Sequence, residues 1–190
     1  MTGSPVELSN WSPQARIAGH GRLQVNLNWS AAAKADLDLG CMVRTRDGRG
    51  DAIQPLGANF GSFDHWPYLE LDQDDRTGQA SDGETLRVNL ERWREFQQLV
   101  VYVYVYEGSV DFRTLGGVVT MTAPSGTWRI HLDDSPAGAT ACAIARLVPG
   151  REGLELTREV RWFSPKLWDG NQQQIDRAYG FGLNWVWGTK

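Results

Sequence analysis

The nine residues VVYVYVYEG, Val100 to Gly108, limit the fold more than any other stretch of the chain. β-branched and aromatic residues follow one another without a helical period, so the segment reads as a strand. Strand side chains point to opposite faces in turn, which puts Val101, Val103 and Val105 on one face and Tyr102, Tyr104 and Tyr106 on the other. Both faces are bulky, so the strand belongs in the middle of a sheet. The surrounding sequence agrees. RLQVNLNW alternates, with Leu23, Val25, Leu27 and Trp29 on one side and Gln24, Asn26 and Asn28 on the other. DLDLGCMVRTRDGRGDAIQPLG reads as two strands around a tight Asp47-Gly48 turn. WPYLELD, TLRVNL, GGVVTMT and TWRIHLD are further strands. TACAIARLVPGREGLELTREVRWF is a hairpin turning at Pro149 to Gly153. LERWREF after Asn89 and NQQQIDRAY are the places for short helices, and NWVWG, Asn184 to Gly188, closes the chain as a strand.

Many short strands and little helical period predict an all-β fold, a two-sheet antiparallel β-sandwich with one or two short helices. Residues 1–21 are rich in Ser, Pro and Gly and read as a flexible arm, with Trp11 available to dock it. Residues 22–190 form the sandwich domain. Of the nine tryptophans, most are expected between the two sheets.

Length and composition fit a soluble domain with a real core: 190 residues, 41% hydrophobic and 22% charged. The net charge of −4 is concentrated. ELDQDDRTGQASDGE, Glu70 to Glu84, carries six acids and one base, −5 in all, while the remaining chain has 17 acids and 18 bases. With no broad basic surface, nucleic acid is not an expected partner. No apolar run approaches the roughly 20 residues of a membrane span, and the N-terminus lacks a signal-peptide pattern, so cytoplasmic residence is expected. Cys41 and Cys142 sit in apolar strand runs and read as small buried hydrophobes.

Carboxylates crowded on one loop repel unless water or a cation separates them. Hard oxygen donors with neither His nor Cys among them suit Ca²⁺, which takes roughly 6 to 8 oxygens; Mg²⁺ is second choice, and zinc is poorly supported. Asp72, Asp74, Asp75, Asp82 and Glu84 can supply side-chain oxygens, and Thr77, Gly78 and Ala80 can offer carbonyls where the chain turns. The spacing is not that of an EF-hand: counted from Asp72, Thr77 and Gly83 stand where Gly and Glu are required. Asp82 and Glu84 close the loop, whereas Glu70 lies in an alternating strand and faces water. Asp36 and Asp38 share one strand face, opposite Leu37 and Leu39, and can join the site from a distant part of the chain. The competing readings are a solvated acidic loop and a polar outward face.

These residues also carry a resemblance. Asp36-Leu37-Asp38, LGANFGS, Asp74-Asp75-Arg76-Thr77-Gly78, Asp82-Gly83-Glu84, Leu86-Arg87-Val88-Asn89-Leu90 and the later WRIHLDDSPAGATACAIARL resemble the tellurium-resistance TerD domain family, in its TerA-like branch. The resemblance covers roughly residues 22 to 187. It implies a β-sandwich binding Ca²⁺ at its loop-bearing end, in a bacterial stress role. It implies a module without catalytic chemistry that works with other stress-resistance proteins in partly membrane-associated assemblies, peripheral to the inner membrane. Gln79-Ala80-Ser81 replaces a denser Gly/Asp run of the family, which favours one ion over two.

Two other functions compete. A β-sandwich glycosidase would use paired carboxylates at set separations, but here they cluster on one loop, and no nucleophile motif or phosphate loop is present. His131 reads as a surface residue. A Ca²⁺-dependent lipid or carbohydrate binder would need aromatic and basic residues around the loop, for which His65, Trp66, Tyr68 and Arg76 are candidates.

Overall fold

The computed structural model describes residues 4–30, 36–72, 84–107, 111–166 and 170–185. Among these residues thirteen strands form two sheets. They are β1 (Val6–Glu7), β2 (Gln14–Ala18), β3 (Arg22–Asn28), β4 (Asp36–Thr45), β5 (Gly50–Ile53), β6 (Gly61–Ser62), β7 (Leu69–Leu71), β8 (Glu84–Asn89), β9 (Phe96–Glu107), β10 (Val118–Ala123), β11 (Gly126–His131), β12 (Ala141–Pro149) and β13 (Gly153–Phe163). Helix α1 (Phe112–Leu115) and helix α2 (Asn171–Tyr179) are short. A 3-10 turn at Leu90–Glu95 stands where LERWREF predicted a helical turn, started by the Asn89 side chain accepting the Glu91 N–H at 3.1 Å.

The first sheet runs β1-β11-β10-β3-β8-β7-β6 and the second β2-β13-β12-β9-β4-β5. Every pairing is antiparallel except β1 with β11. The two-sheet sandwich is therefore as the alternation predicted, and β9 lies between β12 and β4 as its two bulky faces require.

Those two faces do different work. Leu99, Val101 and Val103 pack between the sheets with Leu37, Leu39, Cys41, Leu86 and Val88. Val100, Tyr102 and Tyr104 point the other way, into a second apolar cluster with Met42, Phe163, Ile175 and Phe181. α2 and the segment after it thus cover the outer face of the second sheet as a third layer. Burying such side chains contributes roughly 1.5–3 kcal/mol each. Tyr102 fits because position 40 is glycine: a Cβ there would lie 2.5 Å from the ring. Cys41 and Cys142 are free and buried, and burial pushes both thiols up.

Two expectations are corrected. Within residues 1–21, β1 adds to the edge of the first sheet and β2 to the edge of the second, so this stretch is part of the sandwich. Ile17 is buried, and the Pro13 carbonyl accepts the Arg158 N–H at 2.7 Å. Strands this short carry too few alternating positions to stand out from a Ser/Pro/Gly background. Trp11 docks nothing, being 97% exposed. The closing strand is absent over residues 184–185, of which Trp185 packs against the second apolar cluster; its remainder lies outside the described residues. Among the tryptophans, Trp29, Trp93 and Trp128 are buried between the sheets and Trp162 packs against them, whereas Trp185 belongs to the third layer.

Candidate metal centre

β4 begins with the sequence Asp36-Leu37-Asp38-Leu39. Leu37 and Leu39 enter the inter-sheet core, and the aspartates take the opposite face, as period two requires. That face is not solvated. Asp36 is 9% exposed and Asp38 fully buried. Asp38 stands opposite Tyr104 in the β4–β9 ladder. Both Tyr104 and Tyr102 are held well above the ordinary phenol range, by burial first; the Asp38 carboxylate adds to this, for Tyr102 after the Cys41 thiol. The Tyr102 hydroxyl donates to Gln54 Oε1 at 2.6 Å.

Asp36 stands opposite Glu107, the last residue of β9. Like charges directly opposite across a ladder destabilise a sheet by a few tenths to about 1 kcal/mol unless something lies between them.

Glu84 opens β8 and ends the acidic stretch. It shares the inward-facing period of Leu86 and Val88 and is fully buried. Its Oε2 accepts the Leu39 N–H at 2.5 Å, across from one sheet to the other. The reason is local: β5 ends at Ile53, opposite Cys41, so the edge of β4 beyond Cys41 has no β5 partner, and the carboxylate takes that place. The start of β4 and the end of the acidic stretch, 45 positions apart in sequence, therefore meet at one end of the sandwich.

Asp72 lies at the other root of the same stretch. Its N–H donates to the Thr85 carbonyl at 2.9 Å, and its Oδ1 accepts the Thr85 N–H at 3.0 Å. Oδ2 accepts from Arg87 Nη2 at 3.1 Å. Both oxygens of Asp72 thus tie the loop shut. Glu70 reaches Arg87 at 3.8 Å and is partly exposed.

No family model matches the chain. The tellurium resistance protein TerA of an Alcaligenes species is 33% identical over an alignment of 205 positions, which takes in 98% of this chain and 59% of that relative. Over nearly its whole length the chain is thus similar to a tellurium-resistance protein. It spans about three-fifths of the length of the TerA relative. Two solved structures share the fold. One, a protein of unknown function, superposes with TM-score 0.61 at 13% identity, over 77% of this chain and 93% of its own. The other, a homologue of the telluride resistance protein TerD from Streptomyces coelicolor A3(2), gives 0.57 at 19%, over 77% and 92%.

Of the expected ligands, Asp36 and Asp38 lie on the outer face at the start of β4, Glu84 reaches the edge of that strand at Leu39 from the other sheet, and Asp72 sits at the loop root. Asp74, Asp75, Thr77, Gly78 and Asp82 lie outside the described residues. Among the described residues, no group of three or more His, Cys, Asp or Glu is close enough to hold an ion. The expected ligands that are described are all carboxylates, the chemistry that suits Ca²⁺. Glu107 was missed; its place at the end of VYVYVYE, antiparallel to DLDLG, was the available signal. The aromatic residues suggested for a lipid or sugar site are elsewhere. Trp66 Nε1 donates to Thr45 Oγ1 at 3.2 Å and the Asn89 N–H to the Tyr68 carbonyl at 2.9 Å. Those partners are the far ends of β4 and β8 from Asp38 and Glu84; the acidic stretch between Asp72 and Glu84 lies outside the described residues. Among the described residues, no helix is long and apolar enough to cross a membrane.

Proposed function

We propose that the acidic end of the sandwich binds one Ca²⁺ ion and that the chain is a non-catalytic module of a bacterial stress-resistance system. The observation that supports this is that buried Asp36 and Asp38 at the start of β4 and buried Glu84, which meets β4 at Leu39 from the other sheet, lie at the same end of the sandwich as the root of a stretch with six acids. Burying carboxylates is costly unless a positive charge or hydrogen-bond donors offset it. A cation completed by loop oxygens would serve all of them and would separate Asp36 from Glu107. The similarity to a tellurium-resistance protein supports the stress role, with other resistance proteins as partners.

Calorimetric titration tests the site. Calcium should bind with about 1:1 stoichiometry, and millimolar calcium should raise the melting temperature relative to chelator. A hundredfold excess over Kd corresponds to about 2.7 kcal/mol of stabilisation. Identical melting curves in calcium and in chelator would remove the proposal.

A further inference from the structure

A second charged feature lies away from the acidic end. A groove of about 530 Å³ runs between the end of β13 and α2, with Arg161, Lys166 and Arg177 on its walls. These cations come from the strand, the segment after it and the helix. All three are exposed. Ser164 and Gln174 add polar atoms to the lining, and Pro165 and Ala178 apolar surface. The volume is that of a small-molecule site.

Arg161 is positioned by rings. Its guanidinium lies 5.5 Å from the Phe163 ring centroid and 5.9 Å from that of Tyr179. Stacking fixes the plane of a guanidinium and leaves its N–H groups available to an oxyanion. Among the described residues, no carboxylate lies within ion-pair distance of Arg161 or Lys166. Glu159, the acid two residues before Arg161, is engaged by the Tyr179 hydroxyl at 3.0 Å.

The backbone is unusual at the same place. Along β12 and β13 the paired positions jump from Ala145–Arg158 to Ala143–Arg161, so β13 carries an extra residue. Within that bulge Val160 has φ 41°. A β-branched residue in the left-handed region is a strained exception. Bulges re-aim the side chain that follows, and here that side chain is Arg161.

We propose that this groove binds a small phosphate ester, its phosphate held by Arg161 and Lys166 and its organic part lying along Pro165 and the rim of α2. The guanidinium supplies paired N–H donors to two phosphate oxygens, and the ammonium supplies a point charge. The calcium reading is independent of this one.

The test uses the full chain with chelator present. Glucose 6-phosphate, ATP, inorganic phosphate and unphosphorylated glucose are titrated by calorimetry and by amide chemical-shift mapping. The esters should bind and move the amides of residues 161–164, 166 and 174–178. Glucose should not bind, and inorganic phosphate should bind more weakly than the esters. Arg161→Gln combined with Lys166→Gln should weaken ester binding by at least about tenfold, a loss of about 1.4 kcal/mol. Both side chains are exposed, so the melting temperature should hold. Absence of heat and of shift changes at millimolar ester overturns the proposal. So does binding that the double substitution leaves unchanged, which would place the anion at other arginines.

Discussion

Asp176 and Asp38 are both aspartates buried against the outer face of the same sheet, and their surroundings differ in kind. Asp176, 4% exposed, lies in the last turn of α2, where a negative charge opposes the helix dipole. Its Oδ1 accepts the Gly182 N–H at 2.6 Å, and its Oδ2 accepts the Leu183 N–H at 2.9 Å and Trp185 Nε1–H at 2.7 Å. Donors from one short segment neutralise it and fold that segment down over the sheet. Asp38 has Asp36 two residues away, Glu84 on the N–H of the next residue and phenols beside it. A lone carboxylate among N–H donors is a tie. Buried carboxylates from two sheets at one acidic end are, in the proposed function, ligands for an ion that loop oxygens would complete.

The largest expected effect breaks the tie. Asp176→Ala strands three donors and releases residues 182–185 from the apolar cluster. With charge-assisted hydrogen bonds at about 1.5–3 kcal/mol, and partial rescue by water, a loss of about 3–5 kcal/mol is expected. In a chain of this size that lowers the melting temperature by roughly 6–20 °C. The loss should be equal in calcium and in chelator. A loss seen only in calcium would make Asp176 part of the metal site.

Glu84→Gln and Asp38→Asn come next and carry the opposite signature. In calcium each should cost about 2–3 kcal/mol, the stabilisation that a well-bound ion contributes. In chelator each should be close to neutral or stabilising, because the substitution removes negative charge from an acidic cluster. Melting curves of both variants under the two conditions decide this. Equal destabilisation in both would mean that Asp38 is another tie.

Much of this contrast was legible in the sequence. Alternation alone put Asp36 and Asp38 opposite Leu37 and Leu39, and VVYVYVY announced a strand buried on both faces. Glu84, Leu86 and Val88 also alternate, so the inward turn of Glu84 could have been read from ETLRVNL. Two things were not legible. Nothing local says that α2 and residues 181–185 return to cover the face carrying Asp38, because that is a contact across more than a hundred positions. Nothing local says that Asp72 is engaged by Arg87, since an acid beside an acidic loop looks the same whether it ties the loop or binds an ion.

A smaller effect appears at high pH, on the same covered face. Tyr104 is held well above the ordinary phenol range in the folded protein. In the unfolded chain it ionises at about pH 10. Above that pH the unfolded state has lost a proton that the folded state keeps, so stability falls as pH rises. The contribution is fully present below about pH 10 and shrinks by about 1.4 kcal/mol per pH unit above it. Urea denaturation of the wild type and of Tyr104→Phe at pH 8 and pH 11 should show the variant losing about 1.4 kcal/mol less over that range. Asp38→Asn should leave most of this loss in place, because burial is the larger cause of the shift. A loss that vanished with Asp38→Asn would make Asp38, and so the charge of the acidic end, the dominant cause.

The smallest effect belongs to Glu70, the acid that begins the stretch ending in Glu84. It is part of β7, its side chain is 39% exposed, and its contact is Arg87 at 3.8 Å. Arg87 also holds Asp72 at 3.1 Å, so removing the Glu70 charge leaves the loop root tied. An exposed pair of this kind is worth about 0–1 kcal/mol. Glu70→Gln should therefore change stability by less than about 0.5 kcal/mol, and the calcium titration should superimpose on that of the wild type. Asp72→Asn separates the two roles at that root: it keeps an acceptor for the Thr85 N–H but gives up the ion pair with Arg87. If Asp72 is a tie, the cost appears with chelator as well as with calcium. If Glu70→Gln weakens calcium as much as Glu84→Gln does, the acidic stretch acts as a diffuse field, and the distinction between tie and ligand set fails at this end of the molecule.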